Sequence, residues 1–531
     1  MKKEMTRREM LVTSAQMAGV AVLGGACAGE RAQIKTQRGI LFGDKAGAKA
    51  AEQIYASGGN AIDATVAAAF VAGIGSPSKC GIGGYGGSAM IAQGGNIFCI
   101  DFNSVAPAAA KPDMYPLNAK GEVVGRANFH GWLAAGVPGV PAGLELLLQK
   151  FGTKSLREVL QPAIELAAKQ TPNPRFSYPA LRETLMTFAA RNSVDSYYRG
   201  DIAHIIAEAF AKHGGIVTTR DLAAYHARLV TPYHYKWGDA TIYTAPLCSG
   251  GLTTLEALSI FKATRFAEQK SSNERTHAQL EALRLAWRDR GNLLGDPEFV
   301  EVPVEKLLSA DYARESANQI ESAVAARKAM HIDVPRIQQT GTVNLSAADH
   351  QGTLVAITLT MGNGYGAQVT VEKVGMVLGH GMARFDPQPG HANSVASGKR
   401  PLHNMCPMMM SVHEKPTIAI GAAGGTKIPN ALFEFFCNHI GEKQSFFSSI
   451  DAPRFNTTGS LDTRVEKEFP PEQRAYLQQA GFKVANGPGP FVSGVRFNPA
   501  TKTMEGRNHI GDPFETKKQM DNSWPTPEKT K

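Results

Sequence analysis

The spacing of apolar residues changes character twice along the chain. Residues 48–57 carry helical spacing and stop at Gly58-Gly59, a helix-ending pair. Asn60-Ala61-Ile62-Asp63 then opens an alanine-rich run to Gly73 that is apolar on nearly every face, which predicts a buried helix. A glycine-dense loop at 81–87 follows, with 88–91 and 97–102 predicted as the strands of a hairpin. Between residues 140 and 330 the spacing is helical, in segments near 142–150, 155–169, 252–263, 276–293 and 311–328. From 341 the period becomes two. Residues 342–348 and 353–360 read as strands joined by the turn Asp349-His350-Gln351-Gly352. Strand-like runs recur at 369–378, 406–412 and 417–422, ahead of a helix at 429–440.

This order of helices, strands and a further helix, with early strands, predicts sheets layered between helices: an α+β sandwich without internal repeats. The sharpest change of character lies at 330–341, where a Pro-containing loop leads into a strand. Composition alters the picture little. The 531 residues are 43% hydrophobic and 19% charged, with 54 Gly and no long Gly/Ser or Gln/Asn tract, as in an ordinary folded protein. The net charge of +9 is spread along the chain with no basic run interleaved with aromatics, so no nucleic-acid partner is expected. Six scattered cysteines form no CxxC or zinc spacing and are expected as free, buried or half-buried thiols; no metal and no cofactor are called for.

The amino terminus carries Arg7-Arg8, a short apolar stretch from Val12 to Gly25, and Ala26-Cys27-Ala28. This matches a twin-arginine export signal cut near Ala28, with a lipid anchor on Cys27 as the runner-up. The stretch is too short to remain as a spanning helix, and the rest of the chain predicts no membrane span. An exported, periplasmic protein is expected. From about 514 the tail is polar.

Several motifs carry possible chemistry. Gly81-Ile82-Gly83-Gly84-Tyr85-Gly86 has the dinucleotide spacing but lacks a preceding apolar strand and a following helix, so it is read as a loop. Ser76-Pro77-Ser78-Lys79 has the SxxK spacing of serine acylases without their companion elements, and is also read as a loop. The turn at 349–352 brings Thr360 opposite Thr342, within one residue of register. Two threonines side by side on a hairpin are ordinary for packing, and chemistry alone does not single them out. Gly424-Gly425 before a helix could offer backbone N–H groups to an oxyanion, or could simply make a tight turn.

Ordered matches along residues 39–513 decide between these readings. They include Gly58-Gly59-Asn60-Ala61-Ile62-Asp63-Ala64, Gly81-Ile82-Gly83-Gly84, Asp101-Phe102 with Ala106-Pro107-Ala108-Ala109, and Gly136-Val137-Pro138-Gly139. Asp221-Leu222-Ala223-Ala224-Tyr225, Arg288-Asp289-Arg290 with Leu294-Gly295-Asp296-Pro297, and Lys399-Arg400-Pro401-Leu402 continue the series. The chain resembles the gamma-glutamyltransferase (gamma-glutamyltranspeptidase, glutathione hydrolase) family. The resemblance implies a four-layer αββα fold of the N-terminal-nucleophile hydrolase type, made as a precursor that cuts itself in two. With the export signal read at 1–28 and the polar tail from 514, it implies a large chain at 29–341 and a small chain at 342–531. The two chains of one precursor would stay associated, with a small-molecule amide as substrate. Cleavage would fall between Gly341 and Thr342. Thr342 would be the nucleophile, Thr360 its supporting threonine, and Gly424 and Gly425 the oxyanion pair.

The resemblance weakens at the family's substrate contacts. Asn103 stands where an arginine grips the glutamyl carboxylate, and Arg384 where an aspartate holds the amino group. Gly362 replaces an asparagine, with Asn363 beside it, and His403-Asn404 replace a serine pair. The stretch between Phe385 and Lys399 is shorter than in lidded members, which implies a more open site. Base in place of acid reverses the preferred charge, so an amide bearing an anionic group without a free amine is expected. The wider family, with its cephalosporin acylases and oxamate amidohydrolases, accommodates such change. The alternatives are a true glutathione hydrolase with altered contacts, and a non-catalytic exported binding protein that would not cut itself.

Overall fold

A computed structural model describes residues 32–34, 38–333, 341–362 and 364–510. The calls on the export signal, Cys27, the polar tail, the loop before Gly341 and Asn363 therefore lie outside the described residues. In chain order, strands β1 (Ala32–Ile34) and β2 (Gly39–Phe42) precede helices α1 (Lys45–Ala56) and α2 (Ala61–Gly75). The hairpin β3 (Gly86–Gln93) and β4 (Asn96–Asp101) leads to α3 (Val140–Phe151), α4 (Leu156–Ala168) and α5 (Tyr178–Arg191). Next come β5 (Arg228–Val230), β6 (Tyr233–Trp237) and β7 (Ala240–Thr244), then α6 (Gly251–Ala263), α7 (Asn273–Leu293) and α8 (Ala310–Ala325). The hairpin β8 (Gly341–Asp349) and β9 (Leu354–Gly362) is followed by β10 (Thr370–Val371), β11 (Met376–Val377), β12 (Met408–Val412) and β13 (Lys415–Ala423). Helix α9 (Lys427–Phe436), β14 (Phe455–Asn456), β15 (Asp462–Val465), β16 (Lys483–Asn486), β17 (Phe491–Asn498) and β18 (Thr503–Ile510) follow, and further helices, among them Asp201–Lys212 and Pro471–Gln479, lie between these elements.

Two sheets face each other. One has the order β2-β8-β9-β3-β4-β5 and the other β1-β18-β17-β13-β12-β7-β6. Strands β8 and β9 lie against β13 and β17, while α2 covers β8 and β9 from outside and α9 covers β13. The apolar residues divide accordingly into three main cores. One joins α1–α5 to the outer face of the first sheet, one joins α6–α9 to the outer face of the second, and a smaller one lies between the sheets. The expected αββα sandwich is the observed fold.

Local sequence explains the elements that hold the site. Every residue of α2 from Ala61 to Ile74 is buried, as its apolar surface requires. Its first turn is closed by a capping box between Asn60 and Asp63. The glycine loop before β3 is an approach problem: a Cβ on Gly86 would lie 2.6 Å from Phe102 O and 2.7 Å from Asn103 Cα. That settles the GxGxxG match as packing around β3. One strand expectation fails. The run 369–378 is two short strands separated by a helical turn, because Glu372–Val374 folds back and Gly375 takes φ +65°. Alternation of apolar residues alone did not register that break.

Candidate active site

Backbone register determines which side chains meet. On the β8–β9 ladder Val343 pairs with Leu359 and Asn344 with Thr358, with an irregularity between Gly341 and Val343. This brings Thr342 level with Thr360, as the turn length predicted. The Thr342 hydroxyl donates to Thr360 Oγ1 at 3.3 Å, and Gly362 N donates to the same oxygen at 2.8 Å. Both threonines are buried. The turn is tied down at its other end: Asp349 Oδ1 accepts from Gln351 N and Thr353 N, each at 3.0 Å, and Oδ2 accepts from Ala61 N at 3.0 Å. A carboxylate at the amino terminus of α2 also suits the helix dipole. The hairpin turn is thereby tied to the start of α2. Gly341 and Thr342 are consecutive residues of β8, and Gly341 lies opposite Gly362.

Gly424 and Gly425 follow β13, the strand that crosses β8 on the facing sheet. Their φ values of +136° and +67° fall in the left-handed region, where a side chain would be strained. Ile428 N bonds Gly425 O at 3.1 Å as α9 begins. Lys427 packs its stem beside Gly424 and donates its ammonium to Pro488 O at 3.1 Å. Burial pulls its pKa down to about 8, against an opposing pull from Glu466.

Arg384, His403 and Asn404, among the residues proposed for substrate contact, gather around buried positive charge. Arg384 is 8% exposed, and its charge is felt by Tyr85, Arg290, His380 and His403. Burial, with Arg384 among the charges adding to it, lowers Arg290 to about 10. Burial likewise lowers His403 to about 3, with Asp101 opposing and Arg290 and Arg384 reinforcing the shift. Tyr85 is pushed up to about 12 by burial, which the two arginines offset only in part. Arg290 bonds His403 O at 2.8 Å and Asn404 Oδ1 at 3.3 Å, so His403 and Asn404 are held as one unit. Asn103 Nδ2 donates to Pro401 O at 2.7 Å, its carbonyl accepts from the Tyr225 hydroxyl at 2.9 Å, and its Oδ1 has no hydrogen-bond partner among the described residues. Gly362 takes φ +94°, and a Cβ there would lie 2.0 Å from Cδ2 of His380. His380 thus occupies the space an asparagine at 362 would need.

Tyr85, Arg290 and His380 were not singled out by sequence reasoning as site residues. Their approach depends on three distant segments packing together, and no local pattern encodes that. Asn344 was missed too, although its signal was available: on a strand it shares a face with Thr342. The five cysteines among the described residues are free and buried, as expected. No described group of three or more His, Cys, Asp or Glu could hold a metal ion, and no described helix is long and apolar enough to cross a membrane.

Comparison with known proteins adds a second line of observation. The sequence profile described as Gamma-glutamyltranspeptidase matches residues 47–172 and 170–508. The glutathione hydrolase proenzyme of Escherichia coli (strain K12) is 30% identical over 505 residues, covering 85% of this chain and 87% of that protein. The acylase ACY 1 proenzyme of Pseudomonas sp. (strain SE83) is 30% identical over 514 residues, covering 88% and 92%. In fold, the crystal structure of cephalosporin acylase from Bacillus halodurans matches with a TM-score of 0.82 at 24% identity, over 93% of this chain and 98% of that one.

Proposed function

The chain belongs to the gamma-glutamyltranspeptidase family, and on that premise we propose that Thr342, freed by self-cleavage after Gly341, is the nucleophile of an amide hydrolase and acyltransferase. The observation that carries this is the contact of 3.3 Å between the Thr342 and Thr360 hydroxyls at the end of a hairpin anchored to α2. A free α-amine has a pKa of roughly 7.7–8.0, so the Thr342 amine can take the proton of its own hydroxyl near neutral pH. The oxygen attacks the amide carbonyl, and the backbone N–H groups of Gly424 and Gly425 steady the oxyanion. Collapse of the intermediate breaks the C–N bond, the proton leaves with the amine, and an acyl ester on Thr342 remains. Water or a second amine then takes the acyl group. In the precursor the same hydroxyl attacks the Gly341 carbonyl, an approach glycine leaves open; the Gly341–Thr342 C–N bond breaks, the hydroxyl proton passes to the freed Thr342 amine, and water hydrolyses the resulting ester to leave a Gly341 carboxylate. Thr360 orients the attacking oxygen.

The acyl group carries a carboxylate and lacks a free α-amine. Support comes from the guanidinium of Arg384 at the position of the family's amino-binding aspartate, with Arg290 beside it. That carboxylate gains from both charges, and an ammonium is repelled. The amino-terminal segment is an export signal of the twin-arginine type, cut near Ala28, which delivers the enzyme to the periplasm; lipid attachment at Cys27 is the competing reading of the same segment.

A pair of anilides tests the specificity, because glutaryl and γ-glutamyl anilide differ only in the α-amine. The expected result is a glutaryl preference in kcat/KM of about ten-fold or more, reversed or abolished in Arg384→Asp. Brisk γ-glutamyl turnover by the wild type contradicts it. That outcome would favour a true glutathione hydrolase with altered contacts, for which the unpartnered Asn103 Oδ1 offers an acceptor to the ammonium.

A further inference from the structure

Alternation along β8 turns Val343, Leu345 and Ala347 toward the helix-side core, and Thr342, Asn344 and Ser346 toward the opposite sheet. Asn344 pairs in register with Thr358 on β9. Across the interface Gly421 of β13 pairs in register with Ser493 of β17. These four residues make a closed box with the Asn344 amide inside it. Its Nδ2 donates to Ser493 Oγ at 2.7 Å and to Ser346 Oγ at 3.2 Å, and its Oδ1 accepts from Thr358 Oγ1 at 2.8 Å. Ser493 Oγ donates back to Asn344 O at 3.3 Å, and Ser346 Oγ donates to Ser493 O at 2.9 Å. Nδ2 also lies 3.5 Å from Ser493 O, so both amide hydrogens and all three hydroxyl hydrogens have partners. Gly421 completes it, since a Cβ there would lie 2.1 Å from Asn344 Oδ1.

Farther along the same strands the sheets meet through Ala348, Leu354, Ala356, Met409, Ala419 and Val495. There the contact between the sheets is apolar. The polar box is confined to the end that carries Thr342, two residues from Asn344, and Gly424, three residues from Gly421. We propose that Asn344 is a positioning residue, fixing the offset between the strand that presents Thr342 and the strand that leads to Gly424 and Gly425. This rests on Thr342 being the nucleophile, and it applies both to self-cleavage and to turnover.

Three changes test it: Asn344→Leu, similar in size but without hydrogen bonds; Gly421→Ala; and the double change Gly421→Ala with Asn344→Ser. For each, the rate of precursor cleavage, the kcat and KM of mature enzyme counted by active-site titration, and Tm are measured. Asn344→Leu and Gly421→Ala are expected to slow cleavage and lower kcat by about ten-fold or more with little change in KM, as misplacement of a reacting group does. The double variant relieves the clash with the Gly421→Ala methyl but still lacks the amide, so its kcat is expected to stay about as low as that of Asn344→Leu. A merely structural role predicts a lowered Tm with unchanged kcat per active site in all three. If Asn344→Leu does not fold, Ser493→Ala, which leaves the amide in place, gives the same reading with a smaller loss. Variants that cleave and turn over like a normally cleaving wild type overturn the role of Asn344 alone. A wild type that is never cut overturns the nucleophile assignment, and this role with it.

Discussion

Thr342 reaches Thr360 through one hydroxyl contact of 3.3 Å, and Thr360 is itself held by Gly362 N at 2.8 Å. Thr360→Val keeps the shape and removes both bonds, so kcat should fall roughly ten- to hundred-fold, about 1.4–2.7 kcal/mol of barrier, with KM little changed. A steady-state comparison on glutaryl anilide checks this. His403 gives a pH prediction. Its folded pKa of about 3 lies below the unfolded value of roughly 6.5, so folding disfavours its protonated form. Its contribution to stability is complete above pH 6.5 or so and is lost as pH falls toward 3. Between pH 7 and 4.5, Tm of the wild type should fall more steeply than that of His403→Gln; equal slopes would count against the assignment. At this scale the turn at Asp349 and Gly352 placed Thr342 opposite Thr360, because turn length dictates what lies opposite, but its reading as a nucleophile came through resemblance. Arg384 was legible only through resemblance. Tyr85 and Arg290 were not legible, since their closeness to Arg384 is made by tertiary packing.

Helix α2 and the β8–β9 hairpin are the elements on which the site is mounted. Asp63, fully buried, accepts from Asn60 N at 2.8 Å, Thr153 N at 2.8 Å, the Thr153 hydroxyl at 2.6 Å and Lys154 N at 3.0 Å. Asp63→Ala strands those donors, and should cost about 3 kcal/mol or more of stability, read from chemical denaturation. A loss below about 1 kcal/mol would mean that the donors find other partners. The sequence foretold α2 well, because a helix apolar on every face has only one place to go. It foretold the hairpin well, because alternation and a turn signal agreed. The strands β1, β2, β5–β7 and β14–β18 and the helices α5 and Asp201–Lys212 were missed, β5–β7 within a stretch read as helical. Phe491–Asn498 and Tyr178–Arg191 mix polar and apolar residues in patterns that neither period captures cleanly, and their conformation is settled by the sheet and helices they join.

At the scale of the whole molecule, the proposed cleavage point does not divide the fold into two bodies. In one sheet β8 and β9 lie between β2 and β3, and in the other β12 pairs with β7 and β18 with β1. Each sheet thus mixes strands from both sides of Gly341. The cut chains should therefore elute together in native size exclusion and separate only in denaturant, whereas spontaneous separation would contradict this interleaving. The layered architecture was legible from the order of helical and alternating segments, but the strand order was not, because nonlocal pairing leaves no periodic trace. The most direct test of the account is the intact mass of purified wild-type protein beside Thr342→Ala, both under denaturing conditions. The account predicts two chains for the wild type, the smaller beginning at Thr342, and one uncut chain for the variant. A wild type that stays whole, or a variant that is cut at the same bond, would contradict it.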